Sequence, residues 1–173
     1  MDLAQYIRNV PDFPVPGVQF KDISTLLLEP QAVQFIVDSW AQRYAEHEID
    51  KVVGAESRGF IFGAPLAYAM GLPFVLARKP GKLPAEVERE DYKLEYGDDA
   101  IEIHKDAVRT GDRVLLVDDL LATGGTMGAV ARLVERMGAE VVEVAFVIEL
   151  SFLKGREKLE GQTIHALVDF TGE

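Results

Sequence analysis

Residues 113–126 read RVLLVDDLLATGGT, and this stretch joins a strand to a candidate ligand-binding loop. The four consecutive apolar residues 114–117 predict a strand over 113–119 that is buried on both faces, as strands of a parallel sheet are. Asp118 and Asp119 place two adjacent carboxylates at the carboxyl end of that strand. The stretch therefore predicts an interior strand whose carboxyl end is charged.

The rest of the chain alternates strand and helix signals. Short apolar runs predict strands, and apolar residues spaced three and four apart predict helices. The predicted strands are 51–55, 72–78, 113–119, 141–150 and 163–170, and the predicted helices are 31–46, 59–70 and 125–137. This alternation favours an α/β fold with a central, mainly parallel sheet covered by helices. Ligands bind beyond the carboxyl ends of such strands, so the loops after residues 55, 78 and 118 are the candidate site.

The ends of this regular region are marked by two irregular segments. Residues 2–8 predict a short helix with Asp2 as its N-cap, and the proline-rich residues 11–17 predict a loop or arm. Residues 79–99 are polar and strongly acidic, which is typical of a solvated β-hairpin or of a mobile lid. No linker or repeat divides the chain, so residues 1–173 are predicted to form one domain.

The composition excludes several classes of protein. The chain has 18 Lys and Arg against 29 Asp and Glu, a formal net charge of −11, and lacks the basic character that binding to nucleic acid or anionic membranes requires. It has no cysteine, which excludes disulfide scaffolds, thiolate zinc sites and cysteine nucleophiles. The sequence shows no signal-peptide pattern and no apolar run near about 20 residues, so a soluble, cytoplasmic protein is expected.

The loop after the central strand has the residues that a phosphate site needs. Gly124 and Gly125 allow a ligand to approach the backbone closely, and Thr123 and Thr126 supply hydroxyl donors. The start of the following helix directs free N–H groups and a positive dipole end at the same place. The carboxylates at 118–119 repel a phosphate but accept hydrogen bonds from sugar hydroxyls. The stretch predicts a sugar-phosphate site, whereas the glycine patterns of dinucleotide-binding folds and P-loop NTPases are absent.

In the form VDDLLATGGTM (117–127), the stretch resembles the signature of type I phosphoribosyltransferases, and in particular of their adenine-specific members. The likeness extends over almost the whole chain. Further matching blocks follow in order: FPVPGVQFKDISTLL (13–27), GAESRGFIFG (54–63), RKPGKLP (78–84) with YKLEYG (92–97), and ELSFLKGREKL (149–159).

The resemblance implies the type I phosphoribosyltransferase fold, with a small hood at about residues 1–30 and a flexible loop at about 79–99. It implies transfer of the 5-phosphoribosyl group from 5-phosphoribosyl pyrophosphate (PRPP) to adenine, giving AMP and pyrophosphate, by a homodimer with Mg²⁺. Two alternatives remain open: a non-catalytic regulator that binds PRPP on the same fold, and a transferase for another nucleobase such as orotate, hypoxanthine or guanine.

The resemblance also assigns binding residues by position. The ribose hydroxyls are assigned to Asp118 and Asp119, and the 5′-phosphate to Ala122, Thr123, Gly124, Gly125 and Thr126. Pyrophosphate is assigned to Glu56, Ser57, Arg58, Arg78, Lys79 and Lys82, with a cis peptide bond between Glu56 and Ser57. The alternative for the cations is solvated surface charge. Mg²⁺ is expected to be held mainly by substrate oxygens and water, without a direct protein ligand.

The remaining assignments concern the base and the chemistry. Phe20 is expected to stack on adenine and Leu150 to cover its other face, while main-chain groups near Val18 and Lys21 contact its edge. Core packing is the alternative for Phe20 and Leu150. The resemblance implies catalytic roles for two residues, Arg58 on the leaving group and Glu95 as an acid/base near adenine. The alternative for Glu95 is one more acid in a solvated hairpin.

Overall fold

The computed structural model describes residues 1–93 and 98–172, and its centre is a sheet of five parallel strands. In order across the sheet these are β4 (Phe74–Ala77), β3 (Lys51–Ala55), β7 (Arg113–Leu121), β8 (Glu140–Leu150) and β9 (Ile164–Phe170). Neighbouring strands all pair in parallel. Their carboxyl ends therefore lie at one edge of the sheet, and the predicted parallel sheet is confirmed.

Helices cover both faces of this sheet. The helices α2 (Pro30–Tyr44) and α3 (Arg58–Met70) pack on one face, and α4 (Gly125–Arg136) packs on the other. A one-turn helix, α1 (Ser24–Leu27), precedes α2. Within residues 1–93 and 98–172, no helix has the length and apolar content that crossing a bilayer requires.

The strand β7 is buried on both faces, as its apolar run predicted. Val114 and Leu116 belong to the apolar cluster beneath α4, whereas Leu115 and Val117 belong to the cluster beneath α2 and α3. All four side chains are fully buried. The alternation follows from the period of two in a strand, and it makes β7 the element that joins the two halves of the core.

The predicted boundaries of the helices hold to within two residues, and one difference at a strand end bears on the site. The strand β7 continues beyond the predicted residue 119 to Leu121, because its last residues still pair with Ile148 and Glu149 of β8. Asp118 and Asp119 therefore lie within the strand, not beyond its end.

The predicted helix over residues 2–8 is wrong in extent. Only Ala4–Tyr6 form a single 3₁₀ turn, whose first N–H donates to the Asp2 carboxylate. Arg8 instead begins a strand, β1 (Arg8–Pro11), which pairs antiparallel with β2 (Gln19–Asp22). The ladder hydrogen bonds with β2, whose residues lie 8 to 14 positions away in the sequence, outweigh the local helical preference. The proline-rich residues between the two strands form a connection, as predicted.

The acidic segment contains a β-hairpin. Its strands β5 (Val87–Lys93) and β6 (Asp98–His104) pair antiparallel, and residues 94–97 lie outside the described part of the chain. The hairpin is not a solvated one throughout, because Ile101 and Ile103 are fully buried against α4 and the sheet. The hairpin alternative is therefore confirmed for the described residues, and movement as a lid stays a prediction.

Candidate active site

A cavity of about 390 Å³ opens at the carboxyl ends of β3 and β7. Its walls are residues 56–58, Lys79, residues 118–127 and Phe146. We call residues 118–127 the strand-end wall, and residues 56–58 with Arg78, Lys79 and Lys82 the cation wall. The cavity lies where parallel sheets bind ligands, and it brings together the residues predicted for ribose and phosphate with Glu56, Ser57, Arg58 and Lys79 of those predicted for pyrophosphate. Arg78 and Lys82 do not line it but pair with Glu56.

The loop of the strand-end wall depends on glycine for close main-chain packing. Gly124 caps the start of α4 with a φ of 77°, and its carbonyl oxygen accepts a hydrogen bond from the N–H of Gly128 at 2.9 Å. A Cβ atom on Gly124 would collide with the carbonyl oxygen of Gly155, and one on Gly155 would collide with that of Ala122. The 3₁₀ segment that begins at Gly155 therefore supports the loop from behind. Sequence reasoning had explained Gly124 by ligand approach alone.

The start of α4 faces the cavity. Residues 125–127 belong to the cavity wall and form the first turn of this 12-residue helix. The N–H groups of a first turn have no partner within the helix, and the positive end of the helix dipole lies there. This arrangement suits a phosphate group.

The two carboxylates of the strand-end wall are held in a desolvated environment. Burial, and then the charge of Asp119, raise the pKa of Asp118 well above its usual range. Burial also raises the pKa of Asp119, although the nearby Arg58 guanidinium opposes the shift. Nε of Arg58 lies 3.1 Å from Oδ2 of Asp119, but within residues 1–93 and 98–172 this oxygen accepts no hydrogen bond. Ligand hydroxyl groups would supply the missing donors.

The first turn of α3 lies directly against β7. A Cβ atom on Gly59 would stand 2.7 Å from the carbonyl oxygen of Val117 and 3.0 Å from Oδ1 of Asp118. Only a glycine permits this contact, which sets the segment 56–58 beside Asp118 and Asp119. The peptide bond between Glu56 and Ser57 is cis, as expected.

Glu56 organises the cation wall. Its carboxylate accepts hydrogen bonds from Nε of Arg78 at 2.9 Å, from the main-chain N–H of Lys79 at 2.8 Å and from Nζ of Lys82 at 2.5 Å. Burial raises the pKa of Glu56, but these donors outweigh it and lower the pKa below its usual range. The carboxylate thus gathers two side-chain cations from the segment after β4, a role that the sequence did not reveal.

Lys79 extends this wall toward the hairpin. Its ammonium group pairs with the Asp99 carboxylate and donates to the Tyr92 hydroxyl at 2.7 Å. Burial lowers the pKa of Lys79, but these two partners outweigh it and raise the pKa. Sequence reasoning missed both partners. Tyr92 opens the block YKLEYG and Asp99 belongs to the acidic run, so each was visible only as part of a larger pattern.

The predicted base-binding residues Val18, Phe20, Lys21 and Leu150 are not among the described residues that line the cavity, and they lie in different settings. The Phe20 ring stands 5.4 Å from the Arg58 guanidinium carbon and packs edge-on against Phe13. Leu150 ends β8 and is buried in the core beneath α2 and α3. The Lys21 ammonium donates to Oδ1 of Asn9, and Val18 is partly exposed, with its main chain in the turn between β1 and β2. Glu95 lies outside the described residues.

Comparisons with known proteins identify the family of this chain. Residues 24–167 match the family model of the phosphoribosyl transferase domain. The adenine phosphoribosyltransferase of Chloroflexus aurantiacus is 56% identical over 169 residues, which cover 98% of each chain. The crystal structure of adenine phosphoribosyltransferase from Thermoanaerobacter pseudethanolicus is 50% identical, with a TM-score of 0.94 and 98% coverage of each chain.

A further solved structure relates the same fold to ligands. The Saccharomyces cerevisiae adenine phosphoribosyltransferase, complexed with an imino-altritol bisphosphate and adenine, is 42% identical to this chain. Its TM-score is 0.91, and the match covers 96% of each chain. The fold, the phosphate-type loop and near-complete coverage of relatives at this identity lead to one conclusion. The chain belongs to the adenine phosphoribosyltransferase family.

Proposed function

We propose that this chain transfers the 5-phosphoribosyl group from PRPP to adenine, giving AMP and pyrophosphate. The observation that carries the proposal is one cavity with two chemically different walls. A helix start and a carboxylate pair suit the ribose 5-phosphate part of PRPP, and a group of cations suits its pyrophosphate part. The near-complete match to the adenine phosphoribosyltransferase of C. aurantiacus supports adenine as the acceptor.

The strand-end wall binds the ribose 5-phosphate in this proposal. Residues 122–126 surround the 5′-phosphate with main-chain N–H groups and the hydroxyls of Thr123 and Thr126. Asp118 and Asp119 accept hydrogen bonds from the ribose hydroxyls. The support for the second assignment is the buried Oδ2 of Asp119, which a sugar hydroxyl would satisfy.

The cation wall binds the leaving group. Arg58, Lys79 and the main chain of residues 56–58 line the cavity, while Glu56 holds Arg78 and Lys82 beside it. As the bond to the anomeric carbon breaks, negative charge grows on pyrophosphate and positive charge grows on the ribose ring. Cations fixed before the reaction stabilise that change, and exclusion of water prevents hydrolysis.

Mg²⁺ fits this site as a partner of the substrate. Across the described residues, no three Asp, Glu or His side chains converge into a metal cage, so substrate oxygens and water would be its main ligands. Mg²⁺ keeps several waters and is commonly held by one or two carboxylates with substrate phosphates. When bound, it would neutralise charge on the diphosphate, while Arg58 and Lys79 orient the leaving group.

Adenine is proposed to bind beside Arg58, against Phe20. The half-buried ring of Phe20 near the cavity supports stacking on the base. Leu150 is assigned to the other face of the base, and main-chain groups near Val18 and Lys21 to its edge. The base displaces pyrophosphate at the anomeric carbon through one ring nitrogen and loses a proton from another.

Glu95 is proposed to take that proton. We expect Glu95→Gln to lower turnover by about 100-fold, because a positioned acid/base group contributes roughly that factor, while KM for PRPP stays unchanged. Glu86→Gln is the matched control, because this acid belongs to the same acidic segment, its side chain is 85% exposed and its one ion pair among the described residues, with Lys105, is exposed to solvent. Glu90 is unsuitable as a control because it pairs with Arg132 and Arg136 of α4. Equal turnover of the two variants would contradict the assignment.

A second copy of this chain is proposed to cover the face formed by α3 and the edge strand β4. Ile61, Tyr68 and Leu76 expose apolar surface there, and the Tyr68 side chain is almost fully exposed. Arg78 and Lys79 follow β4 directly, so such a homodimer would bring its interface close to the cation wall.

A cytoplasmic location remains a prediction from the sequence.

One assay tests the proposed function. The protein is incubated with PRPP, Mg²⁺ and one nucleobase at a time, and nucleotide and pyrophosphate are measured. We expect AMP and pyrophosphate in equal amounts when the nucleobase is adenine, and no product with any other nucleobase. Product with another base would identify a different acceptor, and PRPP binding without product would identify the non-catalytic regulator. Either result would overturn the proposal.

A further inference from the structure

Tyr92 occupies a junction between the two walls of the cavity. It is the sixth residue of β5, and its side chain is buried, with the ring against Gly125 at the start of α4. Its hydroxyl group lies within hydrogen-bond distance of three side chains on three other segments. These are Nζ of Lys79 at 2.7 Å, Oδ2 of Asp99 at 3.1 Å and Oγ1 of Thr126 at 3.2 Å.

The partners of this hydroxyl belong to opposite ends of the proposed substrate. Lys79 is assigned to pyrophosphate and Thr126 to the 5′-phosphate, so the phenol oxygen links the two groups that hold one PRPP molecule. A tyrosine hydroxyl has one proton to donate and two lone pairs to accept with, and three partners therefore saturate it. The charged pair of Lys79 and Asp99 makes the hydrogen bonds on that side charge-assisted.

We infer that Tyr92 is a positioning residue for PRPP: its hydroxyl fixes the Lys79 ammonium and the Thr126 hydroxyl relative to each other. This inference rests on the proposed function, because it adds a residue to the PRPP site. The phenyl ring alone accounts for the packing of Tyr92 in the core. The hydroxyl adds nothing to that packing, yet it contacts two of the groups assigned to substrate.

Removing the hydroxyl separates this role from packing. In Tyr92→Phe the ring stays in the core, while Lys79 and Thr126 lose their common partner. We expect KM for PRPP to rise about tenfold, the effect of losing one hydrogen bond to a charged group, with KM for adenine unchanged. Isothermal titration with ribose 5-phosphate and with pyrophosphate should show weaker binding of both, because the hydroxyl contacts both walls.

Tyr44→Phe is the matched control. Tyr44 is also a buried tyrosine, but it ends α2 and lies beside Glu143, near the amino end of β8 and therefore at the edge of the sheet opposite the cavity. We expect this variant to keep both KM values. Thermal unfolding of both variants reports whether the fold is intact. Should Tyr92→Phe not fold, Asp99→Asn tests the Lys79 branch, with weaker pyrophosphate binding and unchanged ribose 5-phosphate binding expected.

Three outcomes would overturn the inference. They are a KM for PRPP within twofold of the wild type, a parallel rise in KM for adenine, and binding of both phosphate compounds equal to that of Tyr44→Phe. The proposed function is tested separately by AMP formation in the wild type. Because the titrations do not require turnover, the role of Tyr92 is judged even if the wild type forms no AMP.

Discussion

The two walls of the cavity differ in whether their carboxylates have cationic hydrogen-bond donors within the protein. The strand-end wall holds Asp118 and Asp119 side by side, with raised pKa values and with one buried oxygen that accepts no hydrogen bond from the described residues. In the cation wall, Glu56 satisfies Arg78 and Lys82, and its own pKa is lowered. The first wall thus has a buried acceptor that a ligand can satisfy, although Arg58 lies 3.1 Å from it, whereas the second is already satisfied within the protein.

This difference predicts the largest effect for the strand-end wall. Asp118→Asn with Asp119→Asn removes both charged acceptors from the ribose hydroxyls. We expect KM for PRPP to rise by about 100-fold or more, because each charge-assisted hydrogen bond contributes about 1.5–3 kcal/mol. Steady-state kinetics with varied PRPP measure the effect. Asp38→Asn, an exposed aspartate on α2, is the control, and an unchanged KM in the double variant would remove the ribose assignment.

The same double variant should gain stability while it loses affinity. The half-buried carboxylate of Asp118 and the buried one of Asp119 repel each other, and the neutral amides remove that repulsion at pH 7. We expect the midpoint of thermal unfolding to rise by a few degrees, measured without ligand. A lower midpoint would show that the carboxylates stabilise the free protein and that the two walls do not differ in the proposed way.

Gly124 tests whether the phosphate loop depends on its packing against Gly155. Both Gly124→Ala and Gly161→Ala place a side chain at a positive φ, which costs about 1–2 kcal/mol. Only at Gly124 does the new Cβ also collide with a main-chain oxygen, because Gly161 has no atom within 4 Å of that position. We expect the larger loss in free energy of unfolding at Gly124. Equal losses in denaturant titrations would contradict the supporting role of Gly155.

A smaller effect is expected at the cation wall. Glu56→Gln keeps the shape of the side chain but removes the charge that holds Arg78 and Lys82. We expect KM for PRPP to rise about threefold to tenfold, roughly the loss of one ordinary hydrogen bond, because the amide oxygen can still accept from one of the cations, with KM for adenine unchanged. Glu46→Gln, at an exposed position beyond α2, is the control. A fall in KM would mean that Glu56 competes with pyrophosphate for the cations instead of positioning them.

The walls should also differ in their response to pH. A carboxyl group with a raised pKa takes up a proton first as the pH falls, so Asp118 and Asp119 lose charge while Glu56 remains ionised. Protonation of the pair favours the folded state but removes acceptors for the ribose hydroxyls. We expect KM for PRPP to rise on acidification in the wild type, and to rise less in the Asp118→Asn, Asp119→Asn variant. Parallel pH profiles would contradict this assignment.

The strand-end wall was also the part that sequence reasoning could predict. The strand, the carboxylates, the loop and the helix start are consecutive in residues 113–126, so periodicity and turn chemistry were sufficient. The helix predicted over residues 2–8 was wrong because the contacts that decide its structure are distant in the sequence. Arg8 pairs with Asp22 through a strand ladder and an ion pair, and neither contact is visible in the local sequence.

The cation wall was predictable only in its residue types. Glu56 meets Arg78 across 22 residues, and Lys79 meets Asp99 across 20, because β3 and β4 are neighbours and the hairpin packs against the sheet. The sequence alone does not specify which acid meets which cation. For the same reason the contacts of the Glu56 carboxylate with Arg78 and Lys82 were not visible in the sequence, while its assignment to pyrophosphate stays a prediction.

The contact of Gly59 with β7 fixes the distance between the two walls of the cavity. Since main-chain atoms meet there, the offset between the proposed ribose position and the proposed leaving-group position is set by the backbone, and side-chain substitutions do not change it. Redesign of this protein for a donor with a longer or shorter leaving group would therefore have to remodel the start of α3. A change of acceptor base would instead involve side chains such as Phe20, which is proposed to stack on the base, and would leave the contact of Gly59 with β7 unchanged.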